Sequence, residues 1–150
     1  MIDPASIGII LAALVIVGTG FYLLKRNRQK TMWKMDPRLR PLAKWAYACM
    51  LDVTDLEASN KLPVPNVKGV DEPWGGGFFG TFYMPSRNIK VQITRPYKHL
   101  VDIMLHEMGH DGDWRKHGKS TGEDYANWVN NQCKENVRPD FYPAPKINWD

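Results

Sequence analysis

All four histidines of this 150-residue chain fall between His99 and His117, and two of them frame the run His106-Glu107-Met108-Gly109-His110. On a helix, that i, i+4 spacing sets both imidazoles on one face about a turn apart, where they can ligate one Zn²⁺ without bending the backbone. Glu107, one position on, lies beside such an ion without ligating it and can take a proton from water held there. With four His and five Glu in the chain, an H-E-x-x-H run arises by chance roughly 0.4% of the time. The competing reading, two histidines satisfied by core hydrogen bonds, leaves Glu107 without a task.

A zinc ion that does chemistry has three protein ligands and an open fourth position. Asp113, His117 and Glu123 are the candidates for the third ligand. The metzincin pattern asks for Gly and His at the third and sixth positions after the second histidine; here these are Asp113 and Lys116, so that pattern is excluded in its strict form. Asp113 lies near the expected helix end, and His117 lies in a Lys-rich, Gly-containing turn. Glu123 opens a new helix thirteen residues after His110, where an antiparallel return brings a carboxylate over the metal. The expected ligand set is His106, His110 and Glu123, with water in the fourth place. Asp113 and His117 stand as alternatives, and the plain reading of Glu123 is an acid in a helix's first turn, favoured by the dipole.

The elements that must hold these groups follow from periodicity. Pro96 suits the first turn of a helix over 97–111, which Leu100, Val101, Ile103, Met104, Leu105 and Met108 surround on most sides. Such a helix is buried, and Gly112 can end it. A further helix starts from a cap at Ser120 or Thr121 and runs to about Lys134. Segments 78–84 and 89–94 are rich in aromatic and β-branched residues and flank Pro85-Ser86-Arg87-Asn88, a hairpin signal. Upstream, Leu42, Trp45, Ala46, Cys49, Met50 and Val53 make a one-sided apolar helix over 42–56, expected to pack on a sheet. Between them, 60–77 is punctuated by Pro63, Pro65, Pro73 and three consecutive glycines, which predicts loop with at most a short strand over 66–70.

Residues 5–24 carry no charge and make roughly 30 Å of helix, enough for one bilayer crossing. A secretory signal would put basic residues ahead of the apolar core, whereas here they follow it, so a retained single-pass anchor is expected. The net charge of +4 resolves into −1 from Asp3, +6 over 25–40 and −1 from 41 onward. The positive charge is therefore a juxtamembrane collar and not a nucleic-acid face, and it predicts a cytoplasmic C-terminal domain. Cys49 and Cys133 make no disulfide framework, and as unpaired thiols they agree with a reducing compartment. The organisation expected is a transmembrane helix at 5–24, a basic stem at 25–41, one domain at 42–137 and a Pro- and aromatic-rich tail at 138–150 that wraps it. Repeat arrays, multidomain enzymes and large barrels do not fit this length.

His106-Glu107-Met108-Gly109-His110 followed by Glu123-Asp124-Tyr125-Ala126-Asn127 resembles the H-E-x-G-H then E-x-x-A-N/D signature of gluzincin-type zinc metallopeptidases, and is similar in particular to the ImmA/IrrE group. The resemblance covers 78–131. It implies an α+β, minimal zincin-like domain with a supporting helix, a short antiparallel sheet, an active-site helix and a helix that brings the glutamate. The chain departs from the group in its membrane anchor, in Trp114 and Trp128 near the motifs, and in having no recognisable DNA-binding or sensory domain.

Together these readings describe a membrane-anchored zinc endopeptidase. The hairpin's edge strand would hold an extended protein or peptide substrate by main-chain pairing, and Glu107 would be the general base. The alternative is a membrane-anchored structural or interaction protein, of an envelope or virion-like assembly, that keeps a zinc site for stability. Cell-wall peptide cleavage would need an outward-facing domain, which the collar opposes. Asp102, one turn before His106, can orient a ligand imidazole or be a solvated helix acid. Tyr125, Tyr142, Arg95 and His117 are candidates for stabilising an oxyanion, and 74–77 reads as a lip over the cleft or a tight turn.

Overall fold

The computed structural model describes residues 33–56, 62–71, 79–93, 96–135 and 144–147, together with positions 9, 15–17 and 19. The chain divides into two units, Met1–Met32 and Trp33–Asp150. In the first, positions 9, 15–17 and 19 are helical, with Ile9, Val15, Ile16 and Val17 exposed. The rest of the expected membrane segment, the stem from 25 to 32, Arg95, Tyr142 and the lip at 74–77 lie outside the described residues. Among the described residues no helix is long and apolar enough to cross a membrane.

The second unit is α+β, with three described helices and a three-stranded sheet. Helix α1, Arg40–Thr54, starts with Pro41 in its first turn, where a missing N–H costs nothing. It buries Leu42, Ala46 and Met50 on one stripe. Strands β1 (Asn66–Val70), β2 (Gly80–Tyr83) and β3 (Asn88–Gln92) follow, then the long helix α2 (Tyr97–His117) and helix α3 (Glu123–Glu135). Contrary to expectation, α1 rests chiefly on α2 and α3 rather than on the sheet. One core joins Leu42 and Met50 of α1, Val67, Ile89 and Val91 of the sheet, Leu100, Met104, Leu105 and Met108 of α2, and Val129 of α3.

The sheet corrects the expectation of an antiparallel one. Its order is β1-β3-β2: the hairpin pair is antiparallel, with Phe82 opposite Ile89, while β1 runs parallel to β3, with Val67 opposite the same Ile89. The five residues of β1 carry a strand signal but nothing that names their partner, and the chain between β1 and β2 passes from one side of β3 to the other. Central β3 is consequently buried along nearly its whole length, and β2 is left at the edge.

Helix α2 also runs six residues past its expected end. Gly112 does not stop it, because that glycine serves packing: a Cβ there would lie 2.9 Å from Met50 Sδ of α1. The stop is Gly118, left-handed at φ 70°, whose N–H donates to the Trp114 carbonyl at 2.8 Å. Arg115, Lys116 and His117 occupy the last turn, where positive charge suits the helix dipole. The expectation of unpaired cysteines is overturned as well. Cys49 of α1 and Cys133 of α3 form a disulfide across 84 residues, with Cα atoms 5.9 Å apart. The pairing depends on how two helices meet, which no spacing in the sequence records. Farther along, Ala144 and Ile147 pack on the core and Tyr97 Oη donates to the Pro145 carbonyl, whereas the segment 138–143, expected to wrap the domain, lies outside the described residues.

One buried ionic hub fastens the hairpin to the helices. Asp111 on α2 has no exposed surface and accepts Arg87 Nε at 2.6 Å and Arg87 Nη2 at 2.7 Å, a bidentate pair. Arg115 Nη1 lies 3.7 Å from the same carboxylate and donates to Tyr47 Oη at 2.6 Å, which in turn donates to the Leu62 carbonyl. Burial opposes the Arg87 charge, but Asp111 more than compensates and holds the guanidinium above its ordinary range. Arg87 sits at φ 55° in the turn before β3, a left-handed conformation costly for a bulky residue and held by this network. Asp111→Ala would leave Arg87 buried without its partner. Equilibrium urea unfolding should show a loss of about 3–5 kcal/mol, and a loss under 1 kcal/mol would mean that the hub is peripheral to stability.

Candidate metal centre

Three donors from two helices converge in a cleft beside the edge strand. His106 and His110 stand one turn apart on α2, with ring centroids 4.8 Å apart and planes at 86°. Glu123, the first residue of α3, sets Oε2 2.8 Å from His106 Nε2 and Oε1 3.6 Å from His110 Nε2. One atom from each of the three lies within 4.8 Å of the others, a group that can hold a metal ion. Ligand atoms around a tetrahedral ion with bonds of roughly 2.0–2.2 Å are about 3.3 Å apart. The two observed separations bracket that distance.

The convergence has a local cause. A Cβ on Gly109 would lie 2.7 Å from Ala126 Cα and 2.9 Å from its carbonyl oxygen, so α2 and α3 touch backbone to backbone at this level. Glu123 lies three residues before Ala126 and therefore on the same face, over the two imidazoles. Asn127, i+4 from Glu123, accepts a hydrogen bond from His106 Nδ1 at 3.0 Å. That bond fixes the ring and its tautomer and leaves Nε2 toward the site. Gly109 before His110 is thus the point of helix contact, and Asn127 after Glu123 is the group that orients His106 in this candidate site.

The remaining sequence candidates fall elsewhere. Asp113 accepts His117 Nδ1–H at 2.8 Å, the Thr121 N–H at 2.6 Å and the Thr121 hydroxyl at 2.7 Å, so both alternative third ligands are engaged with each other and with the α2–α3 turn. The unexpected length of α2 is what carries them past the site. Asp102 pairs with Lys134 Nζ at 2.8 Å instead of orienting His106, and Asn127 takes that role. Tyr125 packs edge-on against His117 and beside Trp128. Asn127 and Ala126 stood in the motif without assigned roles. Their spacing from Glu123, three and four residues, was the signal that could have supplied them.

Glu107 lies in the same cleft outside the ligand group, only 5% exposed. Burial first, and then the charge of Glu123, pushes its pKa up to about 8. Strand β2 crosses directly over it: a Cβ on Gly80 would lie 2.4 Å from Glu107 Oε1 and 2.6 Å from Ile103 Cγ2, so any larger residue would push the Glu107 carboxylate out of this position. Phe82 stacks on His110, centroids 6.5 Å apart and planes at 16°. Burial, then the neighbouring His106, lowers the His110 pKa, favouring the neutral imidazole that can ligate. The cleft of about 730 Å³ has the edge strand from Gly80 to Met84 as one wall, and Trp114, Ser120 and Glu123 as the other.

Removing the orienting amide should loosen His106 without dismantling the fold. Asn127→Ala should weaken metal binding by about 10- to 100-fold in chelator competition while leaving the unfolding midpoint nearly unchanged; an unaltered affinity would show that Asn127 does not fix the ring. The chain matches no protein-family model, no curated protein and no solved structure, so the reading of this centre rests on its own geometry.

Proposed function

We propose that the chain is a zinc-dependent endopeptidase of minimal gluzincin type, tethered by an N-terminal membrane anchor. Two imidazoles and one carboxylate are the donor set of a catalytic zinc with an open fourth position, and His106, His110 and Glu123 fit it. When bound, zinc supplies Lewis acidity toward a peptide carbonyl and acidifies water at the open position. The observation that carries the reading is Glu107, a buried carboxylate in the cleft that is not one of the three donors. A purely structural metal site has no use for such a group.

The chain's own residues supply the rest. The charge of a bound zinc ion would oppose the rise in the Glu107 pKa and favour its carboxylate. That carboxylate can then receive a proton from the attacking water and return it to the departing amine, as a general base and then acid. Asn127 keeps His106 from rotating. The edge strand β2 offers main-chain donors and acceptors to an extended peptide laid alongside it, and Phe82, Met84 and Trp114 give the cleft apolar walls.

Glu107→Gln preserves shape and removes basicity. It should bind stoichiometric zinc and reduce peptide hydrolysis at least roughly 10²-fold, whereas His106→Ala and His110→Ala should lose the zinc itself, as read by metal analysis of the purified chain. A zinc-loaded parent that cleaves nothing in a broad peptide library would favour the structural or interaction protein instead.

The compartment has two readings with separate support. The +6 collar over 25–40 supports a cytoplasmic domain by the positive-inside rule. The Cys49–Cys133 bond supports a domain in an oxidising compartment, where disulfides persist. External protease added to intact cells distinguishes them: a protected domain whose cysteines alkylate after denaturation is cytoplasmic, and a digested domain with no free thiol is outside.

A further inference from the structure

The turn that delivers Glu123 has almost nothing holding it. Residues 116–124 are all exposed, from the end of α2 through the first two residues of α3. Gly118 at φ 70° and Gly122 at φ 107° supply its sharp bends, and a Cβ on either would meet nothing within 4 Å. Apolar burial therefore does not decide where α3 begins. The Glu123 side chain is itself 72% exposed and is not packed into position.

Against this, Asp113 is fully buried and spends its carboxylate on the turn. Its Oδ2 accepts the Thr121 N–H at 2.6 Å, and its Oδ1 accepts the Thr121 hydroxyl at 2.7 Å and His117 Nδ1–H at 2.8 Å. Thr121 is two residues before Glu123. Asp113 also continues the α2 stripe of the metal donors, at positions 106, 110 and 113, so the residue that grips the turn shares a rigid helix face with both histidines. A hydrogen bond accepted by a buried charge is roughly twice as strong as a neutral one. Two such bonds to one residue fix both its backbone and its side chain.

We infer that Asp113 is a positioning residue, which clamps Thr121 so that the start of α3 holds Glu123 against His106 and His110. The inference rests on the metal-centre reading above and adds a residue outside the donor group. The Gly109–Ala126 contact sets how close the helices come; the Asp113–Thr121 clamp sets where along α2 the glutamate arrives.

The test uses the full chain and zinc alone, with affinity read by chelator competition and turn mobility by amide hydrogen exchange of the metal-free protein. Asp113→Asn should weaken zinc by roughly 10- to 100-fold, the range for partners that orient a ligand, and should speed exchange at Thr121 and Gly122. Thr121→Val, an exposed position, loses only the hydroxyl bond and should weaken zinc by a smaller factor. In a Glu123→Ala background neither substitution should change the residual affinity further. If Glu123→Ala loses zinc but Asp113→Asn and Thr121→Val bind like the parent, the clamp is overturned while the metal centre stands. An equal loss from Asp113→Asn with and without Glu123 would also overturn it, as general destabilisation. Should Asp113→Asn fail to fold, the Thr121→Val comparison decides alone. A parent chain with no zinc affinity overturns the metal-centre reading and this inference with it.

Discussion

The candidate metal centre depends on two backbones touching. At Gly109 of α2 and Ala126 of α3 there is no room for one added methyl group, and from that point of contact the rest of the site takes its dimensions. A glycine inside a helix costs about 1 kcal/mol relative to alanine, and α2 carries two, at 109 and 112. Each faces a different neighbour: the first admits α3, the second admits Met50 of α1. The long helix is therefore a notched spine between two others, which explains why its sequence is locally unfavourable and apolar on most sides.

The same spine separates two kinds of charge. On one side Asp111 binds Arg87 and approaches Arg115, an ionic group whose function is geometric, since it pins the turn leading into β3. On the other side lie Glu123 and Asp113 with three histidines, Glu107 falls between the two groups, and no arginine or lysine is among the described lining of the cleft. The hub positions the hairpin, and the hairpin brings Gly80 over Glu107. A carboxylate kept dry by a strand resists ionisation, and the bare backbone at position 80 lets the strand lie there without displacing it.

Much of this was legible in the residues. The pair of histidines, the adjacent glutamate and the return of Glu123 all follow from helical periodicity, and the structure brings those donors together. The hairpin and the three described helices begin where periodicity puts them, although α2 passes the breaker expected to end it. What was not legible shares one physical origin, contact between segments distant in sequence. The parallel partner of β1, the Cys49–Cys133 bond and the Asp102–Lys134 pair are all choices made by packing. Gly112 shows the difficulty sharply, because a glycine for close approach and a glycine for termination are the same letter. Its helical neighbour Asp111, buried and bound to arginine, was the local hint that the helix continued.

The disulfide has a topological consequence. Every element that builds the site, from β1 through Glu123, lies on the stretch of chain between Cys49 and Cys133. That stretch is a closed covalent ring. A single backbone nick anywhere within it opens the ring without releasing a fragment, and the nicked molecule keeps its mass apart from one added water. Donors from α2 and α3 would stay tethered even if the loop between β1 and β2 were cut, so damage to this domain is concealed until the bond is reduced.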